Sequence, residues 1–201
     1  MRSCIFITAA LLLIAAAPQE KDKPAPQKGG LKTGDELPGP FQPYNVNGRF
    51  KGRFHCLVCQ HGLNPTAAVF VRGTGDLQGV SALLQALEAA VKTKKHEKAR
   101  LGAFAVFTDE QVPDVVSNDD KRDQEVKNLE DTAAKLDRVT VALESKSNLE
   151  KYHLNPDVEV TLILYDKLKI VDVKTVAKGK LTKESVPTIV TEIVSKLVGK
   201  S

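Results

Sequence analysis

The sequence is poor in the residues that carry most covalent and redox chemistry. Only three cysteines stand in 201 residues, Cys4, Cys56 and Cys59. That is too few for the dense disulfide framework that staples small scaffolds, so a hydrophobic core has to hold the fold. No apolar run reaches the roughly 20 residues of a bilayer-spanning helix. A basic stripe with interleaved aromatics is also missing, which speaks against nucleic acid as a partner. Cofactor motifs are absent, and none is expected. Arg72-Gly73-Thr74-Gly75-Asp76 has two glycines ahead of a helix but lacks the Lys-Ser/Thr ending of a nucleotide loop. A c-type haem would need His directly after the second cysteine, where Gln60 stands. No internal repeat occurs, and no Ser/His/Asp arrangement can be picked out, because chain order does not report proximity.

What is present begins with an export signature. Arg2 supplies a basic start, Ile5 to Ile14 is apolar, and Ala15-Ala16-Ala17 offers small residues for cleavage. Residues 1–17 therefore read as a signal peptide, with no stable membrane insertion after cleavage. Cys4 precedes the apolar run and is not placed for lipid attachment. Residues 18–33, rich in Pro, Lys, Gln and Gly, read as a flexible tether, and residues 34–201 as one domain. Loss of Arg2 lowers the formal charge from +4 to +3, a mild basic excess. Lys92, Lys94, Lys95 and Lys98 form its densest group, where they complement the negative end of a predicted helix.

The domain alternates in type. Ala67 to Val71 and Ala103 to Phe107 are continuous apolar runs, as in strands covered on both faces. Between them Leu77, Val80, Leu84, Leu87 and Val91 recur at helical spacing, with Asp76 as N-cap. Val126, Leu129, Ala133 and Leu136 repeat the helical pattern. Val139 to Leu143 reads as a short strand and Leu149 to Leu154 as a helical turn. Val160 to Tyr165 and Ile170 to Val176 read as a hairpin around Asp166-Lys167-Leu168-Lys169. Val186, Ile189, Ile193 and Leu197 line a closing helix, with Pro187 in its first turn. Right-handed crossovers then give a three-layer α/β fold, a central mixed sheet with helices on both faces.

That order resembles the thioredoxin-like superfamily, especially its peroxiredoxin and thiol-reductase branch. Gly34-Asp35-Glu36-Leu37-Pro38, followed by Phe41 and Gly48, resembles the branch's opening motif. Val139 to Leu143 with Tyr152 resembles its inserted strand and turn, and Glu159 to Asp166 its hairpin strand. The resemblance implies a catalytic cysteine where the first buried strand meets its helix, and a cis-proline before the threonine of the hairpin strand. Here the junction is Arg72 to Asp76 with no cysteine, and Val160 precedes Thr161. Catalytic residues therefore do not carry over.

The remaining chemistry lies in Cys56-Leu57-Val58-Cys59. In an exported protein this pair can persist as a disulfide. Gly62 and Pro65 follow closely, which leaves no room for a helix before Thr66, so no helix dipole is expected to activate a thiolate. Arg53, His55 and His61 are the groups that would lower a thiol pKa by charge. Three readings stay open. A structural disulfide pins a loop against the sheet edge. The pair exchanges with protein thiols, making Cys56 and Cys59 catalytic. Or Cys56, Cys59 and His61, with His153 as a distant fourth ligand, hold zinc or copper. His96 and His153 otherwise read as surface or turn residues. The residues favour the first, a non-catalytic exported binding or structural module; they name no partner, and protein thiols or another exported protein stay open.

Overall fold

A computed structural model describes residues 30–75, 77–108, 114 and 117–199. The signal segment, residues 18–29 of the tether and the Asp76 cap lie outside the described residues. Six strands form one sheet: β1 (Tyr44–Asn45), β2 (Thr66–Arg72), β3 (Gly102–Thr108), β4 (Thr140–Leu143), β5 (Val158–Asp166) and β6 (Lys169–Ala177). Their order is β1-β4-β3-β2-β5-β6. Strands β2, β3 and β4 run parallel, while β1, β5 and β6 pair antiparallel at the flanks. The sheet is mixed, as the alternation of elements predicts.

The helices are α1 (Leu57–His61), α2 (Gln78–Val91), α3 (Lys94–Lys98), α4 (Asp119–Ala133) and α5 (Val186–Val198), with a 3₁₀ helix over Lys146–Tyr152. Successive parallel crossovers from β2 to β3 to β4 move in one direction, so right-handedness puts α2 and α4 on the same face. They share with α5 a core built on Val69, Val71, Ala105, Phe107, Val141 and Leu162. Alternate strand residues, Ala68, Phe70, Phe104, Val106 and Ile163, face the other way. Helices thus cover both faces, but unequally. Among the described residues the second face carries only α1, the 3₁₀ helix and an extended strap. Among the described residues no helix is long and apolar enough to cross a membrane.

The strap follows from the opening motif. Gly34 N–H bonds Ile170 O, Ile170 N–H bonds Asp35 O, and Leu37 N–H bonds Leu168 O, which fastens the segment along β6. Phe41 then packs into the second core, its ring edge-on to Tyr152 at 5.3 Å. The chain ends this crossing as β1, at the opposite edge of the sheet. Two expectations are corrected. The cluster Lys92, Lys94, Lys95 and Lys98 does not end one helix: α2 stops at Val91, and Thr93 caps a separate α3, its Oγ1 accepting from His96 N–H. And α2 starts at Gln78 after Leu77, whose side chain makes no capping bond.

Candidate functional site

Two places compete for function, at different ends of the sheet. The first is the junction after β2. Gly73, in the left-handed region at φ 77°, donates its N–H to Thr108 O at 2.6 Å. That bond occupies one of the backbone N–H groups that two glycines ahead of a helix could have offered to an anion. Thr74 is buried, and its hydroxyl donates to the Glu125 carboxylate of α4. Beside the junction lies a cavity of about 190 Å³ lined by residues including Phe70, Arg72, Glu150, His153 and Thr161. His153 closes the 3₁₀ helix at φ 46°, a turn histidine as expected. Nearby, burial pushes the Glu144 carboxyl up, although its Oε1 accepts from Ser145 N–H and Asn148 Nδ2. Nothing in the sequence around Glu144 announces its burial.

The second place is the CxxC segment. Cys56 and Cys59 form a disulfide, with Cα atoms 5.2 Å apart. Contrary to the expectation from Gly62 and Pro65, this segment is helical. Cys56 is the N-cap of α1, and its Sγ accepts from Cys59 N–H at 3.0 Å. The helix fits because it needs only five residues, and Gly62 ends it at φ 57°, a conformation that favours glycine. Nor does the disulfide sit at the sheet edge. Cys56, Leu57 and Val58 are buried in the second core with Phe70, Phe104 and Val106. Cys59 is exposed. The two cysteines are therefore unequal, Cys56 buried in the core and Cys59 an exposed residue.

The two histidines that flank the cysteines both pack on aromatic rings. The His55 ring stacks on Phe50 at 3.5 Å between centroids. His61 stacks on Phe104, and its Nδ1 lies so close to Gly102 that a Cβ there would be 2.2 Å away. Burial lowers the His61 pKa to about 4, so at neutral pH it carries no charge with which to stabilise a thiolate. The metal set is not brought together either. Both sulfurs are spent in the disulfide, and among the described residues no group of three or more His, Cys, Asp or Glu is arranged to hold an ion.

No protein-family profile matches the chain, and no curated protein does. Solved structures do. A protein described as thiol:disulfide interchange protein DsbE from Chlorobium tepidum aligns at TM-score 0.54 and 17% identity, over 82% of this chain and 99% of that one. An uncharacterized conserved protein from Geobacillus kaustophilus aligns at 0.55 and 16%, over 84% and 83%. Peroxidoxin BcpB from Mycobacterium tuberculosis aligns at 0.52 and 14%, over 83% and 96%. At these identities the likeness is one of fold. The chain has the thioredoxin-like α/β fold.

Proposed function

We propose that the protein is an exported, non-catalytic module that uses the thioredoxin-like fold as a binding or structural scaffold, with Cys56–Cys59 as a structural disulfide. One observation carries the reading: the junction after β2 holds a buried Thr74 tied to Glu125, with no cysteine between Arg72 and Gly75. A threonine hydroxyl cannot enter disulfide exchange, because it does not form the mixed disulfide through which exchange proceeds. The signal-like residues 1–17 support export, and export provides an oxidising setting for the pair. The partner in this reading is another exported protein.

A second reading rests on Cys59. Cys59 is an exposed residue, so its sulfur is the one an incoming thiolate would attack in this reading, and the N–H of Cys59 already points at the Cys56 sulfur that would leave. In this reading the protein is a thiol–disulfide oxidoreductase acting on protein thiols. A redox titration and an insulin-reduction assay separate the two. The structural role gives a potential below about −300 mV and no turnover. A potential between about −270 and −120 mV, with turnover abolished by Cys59→Ser, replaces the first reading by the second.

A further inference from the structure

At the amino-terminal ends of β3 and β4, away from the junction after β2, lies a polar cavity of about 440 Å³. Its lining includes Arg49, Arg100, Arg138, Glu97, Asp137 and His61. The two carboxylates are already matched. Glu97 pairs with Arg138 at 3.3 Å, and Asp137 with Lys92 at 3.5 Å. Among the described residues Arg49 and Arg100 have no carboxylate partner; Arg49 lies over the Phe50 ring at 5.4 Å. The neighbouring chain adds to the imbalance, since residues 37–65 contain Arg49, Lys51 and Arg53 but no Asp or Glu.

Two further features mark the place as built. Arg100 holds φ 57°, a left-handed conformation that costs an ordinary side chain and suits glycine. It ends α3, where Arg100 N–H bonds Glu97 O and Leu101 N–H bonds His96 O. Glycine would serve that turn better, and the chain keeps arginine. His61, on the cavity lining, has its Nε2 buried with no hydrogen-bond partner among the described residues, a state that costs stability.

We propose that this cavity binds a small anionic ligand through a carboxylate or phosphate group, with Arg49 and Arg100 as its charge partners. A guanidinium presents a planar fork of donors that matches either oxyanion. The neutral residues and paired ions around it set the shape, and the two unmatched cations supply the attraction. The site uses no sulfur, so it stands or falls independently of the role of Cys56 and Cys59.

The test is isothermal titration of the purified protein with inorganic phosphate and with citrate, against chloride at matched ionic strength. Saturable binding of either probe above chloride is expected. Arg100→Gly should weaken it at least tenfold while leaving the thermal midpoint at or above that of the wild type, since glycine fits φ 57°. Arg49→Ala should weaken it similarly, and Lys51→Ala, outside the cavity lining, should not. No saturable binding, or undiminished affinity in Arg100→Gly, overturns the proposal. An equal loss in Lys51→Ala does so too, because the attraction is then diffuse surface charge.

Discussion

Asn47 and Glu88 show how single polar side chains hold this fold together from inside. Asn47 Nδ2 donates towards the carbonyls of Ala133, Leu136 and Val139 at 3.1–3.3 Å, and its Oδ1 accepts Val141 N–H at 2.7 Å. Glu88, also buried, accepts the N–H groups of Asp137, Arg138 and Val139 and pairs with Lys92 at 2.7 Å. Burial alone would raise the Glu88 pKa, but Lys92 and the three amides outweigh it and hold the carboxylate below its ordinary value. The stability Glu88 contributes is thus present above the unfolded carboxylate pKa and lost as pH falls through the lower folded one. His61 titrates in a different window. Burial puts its folded pKa near 4, against 6.5 when unfolded, so between those values the unfolded chain binds the extra proton. Stability should therefore be full above about pH 6.5 and fall by up to about 3 kcal/mol as pH drops towards 4. Denaturant melts at pH 7 and pH 5 should show much of that loss in the wild type and little of it in His61→Phe, which keeps a ring against Phe104. An unchanged slope in the variant would mean that another group titrates there.

The elements differ in how far the sequence discloses them. Helix α2 is plain, because Val80, Leu84, Leu87 and Val91 recur at helical spacing and all four are buried. Strands β2, β3 and β5 are plain as continuous apolar runs, since both their faces are covered. Helix α1 is hidden by Gly62 and Pro65, which look like helix breakers but stand just past a helix of one turn. Strand β1 is two residues long and is held by β4 on one side and by residues 52–54 on the other, pairings that no local pattern announces. At the candidate sites the cysteine pairing could be read from spacing, whereas the unequal burial of the two cysteines depends on which core α1 covers. Arg49 and Arg100 lie far apart in sequence and share a cavity only through the sheet order. Gly79 shows the same limit at the start of α2. By propensity alone, alanine would stabilise that helix by about 0.5–1 kcal/mol. A Cβ there, however, would lie 1.9 Å from Leu181 O, in the segment leading to α5. Gly79→Ala should therefore destabilise the protein by about 1–3 kcal/mol as the chain is forced aside. Gly75→Ala, with nothing within 4 Å, should stay within about 0.5 kcal/mol. Urea midpoints of the two variants decide the sign, and a stabilised Gly79→Ala would show that α2 and residue 181 are not packed this closely.

At the scale of the whole molecule, the sheet separates two cores of unequal weight. The larger lies under α2, α4 and α5 and contains neither cysteine. The smaller lies under the strap, α1 and the 3₁₀ helix, and Cys56 is part of it. Removing the disulfide should therefore act on the thin side. A loop closed across so few residues removes only about 2 kcal/mol of unfolded-state entropy, by the chain-length relation for cross-links. For a domain of this size, that corresponds to a fall of about 4–8 °C in thermal midpoint. The sheet should survive at room temperature, because the amides of β2 and β3 are paired to each other and shielded by the larger core. Hydrogen exchange on reduced protein should thus accelerate over residues 54–65 and leave β2 and β3 protected. The double variant Cys56→Ser, Cys59→Ser should reproduce the pattern without a reductant. Global unfolding on reduction at 25 °C would show instead that the strap and α1 hold the sheet together, and the disulfide would then be the main support of the fold.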